Sequence, residues 1–211
     1  MFFSLHDLDK KMLKYINYEN GVFIEAGAND GLTQSNTAYF EKNLNWTGLL
    51  VEPNKHFYNN CKKNRTNSIV ENYALVSNNY NKQYINGNFN DTVSNGLMCM
   101  VTDDCEHYDE HIENHKKEKK NRVEVKTATL TSLLEKNNIT KIDFFSLDVE
   151  GYEISVLNGL DFIKYRPKYI LIETENRLNY QIVVRDYMIE KNYKFLERLS
   201  LNDDLFIDNS I

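Results

Sequence analysis

Cysteine is scarce in this chain: Cys61, Cys99 and Cys105 are the only three in 211 residues, and no two of them make a C-x-x-C. An odd set without that spacing argues against a disulfide scaffold and suits a reducing, cytoplasmic setting. Long apolar runs are missing. None approaches the roughly 20 residues that span a bilayer, so no membrane-spanning helix is expected. The opening Met1-Phe2-Phe3-Ser4-Leu5 is apolar but stops at His6-Asp7. It has no basic leader and is too short for a signal peptide. Positive charge is in deficit, with 25 Lys and Arg against 31 Asp and Glu and a net charge of -6. Enzymes that grip duplex or transfer RNA are more often basic, which argues against nucleic acid as the partner. Proline is nearly absent, with only Pro53 and Pro167, while Asn, Lys, Ile and Tyr are abundant. That bias says little about function.

What is present fits one soluble α/β domain over 1–211. The charged fraction of 27% and the hydrophobic fraction of 41% are ordinary for such a fold. The length allows a substantial core with no obvious second domain. Leu5, Leu8, Met12, Leu13 and Ile16 recur at helical spacing and predict a helix over 5–18. Strands are expected at 22–26, at 48–52 before Pro53, and within 68–76, with helices from about Ser35 or Asn36 to Asn43 and from Lys55 to Asn64. After 123–127, a further strand, the chain predicts a helix at 130–136, strands at 142–148 and 169–173, and helices at 153–160 and 180–191. Two strands at 193–199 and 204–208 make a closing hairpin. Strands alternating with helices imply a doubly wound sheet of about seven strands, mostly parallel, with one antiparallel strand from the hairpin. Residues 77–122 break the pattern. They are rich in Asn, Asp, Lys and His and read as a polar insertion with a short strand near 81–86.

Ligands of such sheets sit beyond the C-terminal strand ends at the switch point. The polar residues there are therefore the candidates. Glu25, Gly27 and Gly31 follow the first strand as E-x-G-x-x-x-G. The dinucleotide fingerprint would be G-x-G-x-x-G, which is missing and disfavours a NAD-dependent dehydrogenase. The acid-first form is the one used with S-adenosylmethionine (SAM). In that reading Glu25 accepts hydrogen bonds from the methionine ammonium, and the backbone of Ala26, Gly27, Ala28, Asn29, Asp30 and Gly31 passes under the methionine and ribose. Glu52 ends the second strand 25 positions after Gly27 and would take both ribose hydroxyls. The expected cofactor set extends to Ser35 and Asn36, to Pro53 and Asn54, and to Ala74 and Leu75.

Asp148-Val149-Glu150-Gly151-Tyr152-Glu153 puts three carboxylates within six residues after a buried strand. Acids crowded there bind something cationic or share protons. Complementing a helix dipole could account for Glu153 and Glu150, but accounts poorly for Asp148. Asp148 and Glu150 are the candidate catalytic bases, with Asp148 also beside the cofactor. Asp148 with Glu173, Glu175 and Asn176 could instead hold Mg²⁺ through oxygen ligands.

Ile24 to Gly31, Leu50-Val-Glu-Pro-Asn54, and Asp148 to Glu153 with Val156-Leu157-Asn158-Gly159 together resemble the FkbM family of SAM-dependent methyltransferases. The resemblance covers about 21–76 and 123–175. It implies a SAM-dependent O-methyltransferase acting on a sugar, glycan or polyketide-type hydroxyl. The family commonly has an aspartate after a Thr-Leu pair where this chain has Thr131. The 77–122 insertion has no counterpart and is where acceptor choice would reside.

His107, His111 and His115 recur every four residues, with Cys99 and Cys105 upstream. Zinc ligation is one reading and a solvated helix the plainer one. Lys116 to Lys120 reads as a solvated face, with an anionic acceptor as the alternative. An RNA cap 2′-O-methyltransferase would want lysines around the Asp148 strand, whereas the neighbouring strand ends in Glu173. A non-catalytic SAM-binding or scaffold module is the alternative outside enzymes, and the intact Glu25, Glu52 and Asp148 argue against it.

Overall fold

The Val-Phe-Ile-Glu-Ala run forms the central strand of the sheet, because nearly every side chain on it can be buried. The computed structural model describes residues 1–87, 123–174 and 177–210. The first half contains α1 (Leu8–Met12), β1 (Val22–Ala26), α2 (Ala38–Leu44), β2 (Thr47–Val51), α3 (Lys55–Asn64), β3 (Ile69–Glu71), β4 (Ala74–Leu75) and β5 (Tyr84–Gly87). Then come β6 (Val123–Ala128), α4 (Leu130–Lys136), β7 (Phe144–Leu147), α5 (Glu153–Leu157), β8 (Tyr169–Glu173), α6 (Leu178–Glu190), β9 (Tyr193–Arg198) and β10 (Asp203–Asp208).

Seven strands form the main sheet in the order β3-β2-β1-β7-β8-β10-β9. All run parallel except β10, which is antiparallel to both β8 and β9. This is the doubly wound architecture expected from the alternation, closing hairpin included. Period-2 alternation divides the strand residues between two cores. Ile24, Leu49, Phe145 and Ile170 face a layer that contains Leu133, Leu157 and Val184. Phe23, Leu50, Phe144 and Leu171 face the other, with Met12, Phe40 and Trp46. A sheet covered on both faces needs near-continuous apolar strands, which is why those runs stand out in the chain. Each fully buried large side chain contributes about 1.5–3 kcal/mol.

Two expectations change. The helix predicted over 5–18 is broken, because His6 and Asp7 adopt left-handed φ of 56° and 57° before α1 begins. The buried Asp9 carboxylate causes this fold-back by accepting from the Phe3 N–H at 2.7 Å and the Ser4 hydroxyl at 2.7 Å. Leu8, Met12 and Ile16 are nonetheless all buried. The strand expected within 68–76 is split. Asn72 donates its side-chain amide to the carbonyls of Glu52 and Pro53 at 2.8 and 2.9 Å, and the chain turns off the main sheet there. The second piece, β4, instead pairs parallel with β6, and β5 pairs antiparallel with β6, giving a separate three-stranded sheet. The short strand expected near 81–86 at the start of the insertion is present as β5. His107, His111, His115, Cys99, Cys105 and Lys116 to Lys120 lie outside the described residues.

Strand order reverses between β1 and β7, since β1 leads through α2 to β2 on one side and pairs β7 on the other. The crevice beyond the C-terminal ends of β1, β2 and β7 follows from that reversal.

Candidate active site

Gly27 leaves β1 with φ 81°, and its N–H and that of Ala28 donate to the Val51 carbonyl at 3.1 and 3.2 Å. The loop is thereby tied to the end of β2 and opens a cleft over the switch point. Of the residues expected to bind a cofactor, Glu25, Gly27, Ala28, Asn29, Ser35, Asn36, Glu52, Pro53, Ala74, Leu75 and Asp148 line this cleft, and Glu150 joins them.

Asp30, Gly31 and Asn54 do not line the cleft. Asp30 is turned into its own loop, accepting from the Leu32 and Thr33 N–H groups at 2.8 and 2.7 Å. Gly31 packs on the far side, where a Cβ would stand 2.7 Å from Arg65 Cγ and 2.9 Å from Cys61 Sγ. Asn54 caps α3, its side chain accepting from the His56 N–H at 2.9 Å.

Glu25 lies deepest. Its carboxylate accepts from the Ser35 hydroxyl at 2.8 Å, the Thr37 hydroxyl at 2.6 Å, the Asn36 N–H at 2.8 Å and Arg65 Nη1 at 3.4 Å. Those four donors take up most of its lone pairs. Arg65 is fully buried and also donates Nε to Glu41 at 2.9 Å and Nη1 to the Gly31 carbonyl at 3.0 Å. Glu25 is therefore the anchor of the segment 31–37, held by a cation that sequence reasoning missed. Arg65 sits 40 positions away at the end of α3, and no local pattern marks it.

Glu52 accepts from the Asn29 N–H at 2.8 Å and the Asn54 N–H at 2.7 Å, one donor on each oxygen. Burial pushes its carboxyl up to about 7, against the pull of those two N–H groups. Each oxygen keeps a further lone pair, so the residue can still receive a pair of hydroxyls.

Asp148 and Glu150 stand at the exit of β7. Glu150 has φ 56° and Gly151 φ 91°, a left-handed pair that turns the chain sharply into α5. Glu153 stabilises the turn from below, accepting from the Val149 and Gly151 N–H groups at 3.1 Å each and from the Tyr180 hydroxyl. Its burial lifts it to about 7. Glu153 is thus a structural member of the acidic motif. Glu173 is pushed far up, first by burial and then by the Asp148 charge and a hydrogen bond between the two carboxyl groups. Burial and the neighbouring charge together favour the protonated form of Glu173. Among the described residues no three acidic, histidine or cysteine side chains form a set that could hold a metal ion. Asn176, named with Asp148 and Glu173 for Mg²⁺, lies outside the described residues.

The structure adds Thr33, Gln34, Tyr73, Ser146, Tyr152 and Val156 to the cleft wall. Ser146 could have been found from the period-2 pattern, since it is the polar residue two before Asp148 on a buried strand. The others come from loops and from α5. Four carboxylates line the described cleft, and no Lys, Arg or His does.

A family model described as the methyltransferase FkbM domain matches residues 25–195. Comparison with curated protein sequences yields no match. Among solved structures, the methyltransferase FkbM from Methylobacillus flagellatus KT is similar at 12% identity and a TM-score of 0.56, covering 92% of this chain and 45% of that one. The chain thus spans less than half the length of that structure. A fibrillarin/Nop5p complex is similar at 11% identity and a TM-score of 0.50, covering 96% and 79%. TrmK of M. capricolum, solved with S-adenosyl-homocysteine, is similar at 10% identity and a TM-score of 0.48, covering 94% and 65%.

Proposed function

Since the chain belongs to the methyltransferase FkbM domain family, we propose that it transfers a methyl group from SAM to a hydroxyl of a sugar or glycan. The observation that carries the reading is the order of acids along the strand ends. Glu52 at β2 has lone pairs to offer, and Asp148 and Glu150 stand across β1 at β7, in one cleft. That order suits a ligand with a diol at one end and a reactive centre at the other. When bound, SAM supplies an electrophilic methyl on a sulfonium.

The chain's own residues do the rest. Glu52 holds the ribose hydroxyls. Ala74 and Leu75 offer an apolar wall to the base. The segment Gly27 to Asn29 supports the middle of the cofactor. Methyl transfer is an in-line displacement, so most of the acceleration comes from holding the acceptor oxygen in line with the methyl. A sugar hydroxyl is a poor nucleophile and must lose its proton, and Asp148 or Glu150 can take it. Glu173, its carboxyl raised by burial beside Asp148, can hydrogen-bond that carboxylate and orient it. That the charged residues of the described lining are all acidic supports a neutral polyhydroxyl acceptor over a phosphate-rich RNA. No described residue favours a resident Mg²⁺.

The test is calorimetry with SAM and S-adenosyl-homocysteine, followed by mass spectrometry of sugars, oligosaccharides and capped RNA incubated with SAM. Binding of both and one added methyl on a sugar oxygen are expected. Absence of binding would remove SAM from the reading. Methylation of the RNA alone, or of a nitrogen, would remove the sugar hydroxyl.

A further inference from the structure

Among the described residues that line the cleft, Asn36 carries a buried side-chain oxygen without a partner. It is only 7% exposed. Its N–H donates to Glu25 at 2.8 Å and its Nδ2 to the Ser146 hydroxyl at 3.0 Å. Its Oδ1 is buried and has no hydrogen-bond partner among the described residues. A buried amide oxygen without a donor is costly, and such groups in native proteins are nearly always completed by something. Glu25 and Ser146 are register partners on β1 and β7. Asn36, bonded to Glu25 through its backbone N–H and to Ser146 through its side-chain amide, therefore sits over that strand pair, on the opposite side of β1 from Glu52 at the end of β2.

We propose that Asn36 Oδ1 accepts the hydrogen bond from the α-ammonium of the SAM amino-acid end, directly or through one water, and that Glu25 is a positioning residue for it. The assignment rests on the SAM reading above. With the ribose on Glu52, the amino-acid end crosses β1 toward Asn36. An oxygen acceptor in a cleft lined by four carboxylates and no described cation suits an ammonium. Glu25, the residue its motif position suggests for that task, has its oxygens occupied by Ser35, Thr37, Asn36 and Arg65. What remains for Glu25 is to fix the backbone from which the Asn36 amide projects.

The experiment is calorimetric titration of the wild-type chain and Asn36→Ala with three ligands. These are S-adenosyl-homocysteine, its analogue lacking the amino group, and 5′-methylthioadenosine, which lacks the amino-acid end altogether. Asn36→Ala is expected to weaken S-adenosyl-homocysteine by about ten- to a hundredfold, the range for one hydrogen bond to a charged group. It should leave the other two ligands within about twofold, because neither carries the ammonium. Unchanged S-adenosyl-homocysteine affinity overturns the assignment. So does equal weakening of all three, which marks a collapsed loop. Weakening that persists with the deaminated analogue places Asn36 at the carboxylate and overturns it too. Failure of the wild-type chain to bind any of the three refutes the SAM reading itself.

Discussion

The carbonyl oxygen of Asp148 lies 1.8 Å from the point where a Cβ on Gly27 would stand. The cofactor-loop glycine and the candidate base are thus packed backbone to side-chain position, with no room for a methyl group. Gly27→Ala would also hold a φ of 81°, which alanine disfavours. The loop must then move away from β7, and a loss of about 3 kcal/mol or more is expected from overpacking and strain together. Urea denaturation measures it. A variant within about 1 kcal/mol of wild type would show that the close approach is not rigid.

Arg65→Met is expected to destabilise more than any surface change. It leaves the Glu25 and Glu41 carboxylates buried without their cation, at sites where Arg65 now stands 3.4 and 2.9 Å away. Removing one partner of a buried ion pair costs about 3–5 kcal/mol. The double change Arg65→Met with Glu41→Gln should recover part of that loss, because it removes one of the stranded charges. Additivity of the two changes would argue that the residues are energetically independent.

Asp148→Asn keeps the shape of the cleft and removes its exposed base. Methyl transfer is expected to fall by about a hundredfold or more. Binding of S-adenosyl-homocysteine should change little, and so should the unfolding midpoint. Full turnover by this variant would move the base to Glu150.

Glu153 makes stability depend on pH with a defined sign. Burial lifts its carboxyl to about 7 from an ordinary 4.5, so the folded protein holds this proton after the unfolded chain has lost it. Stability from this group is therefore full below about pH 4.5 and declines as pH rises to about 7, by an amount on the order of 3 kcal/mol. The difference in stability between wild type and Glu153→Gln, followed from pH 4.5 to 7.5, isolates it. A difference that stays flat, or moves in favour of wild type with rising pH, contradicts the assignment.

Much of the fold was legible because its causes are local. Val22–Ala26, Phe144–Leu147 and Tyr169–Glu173 are apolar enough to be buried on both faces, and only a central parallel strand is buried that way. The helix at Lys55–Asn64 begins where Asn54 caps it. The N-terminal helix departs from its pattern for the opposite reason. Leu8, Met12 and Ile16 do share a buried face, but Asp9 captures the Phe3 and Ser4 groups and ends the regular backbone on one side. The break at Asn72 was equally hidden, since its cause is two carbonyls 20 and 19 positions away.

The doubly wound sheet, the strand-end acids and their spacing are legible in the chain. Burial period and motif spacing depend on neighbours in the chain, and these can be read without coordinates. What each acid does is set by the folded arrangement around it. Glu25 is filled by Arg65, Ser35 and Thr37, Glu153 is folded under its own turn, and Glu173 meets Asp148, while Glu52, Asp148 and Glu150 line the cleft. A carboxylate's role depends on which donors and charges surround it, and those arrive from segments far apart in the chain.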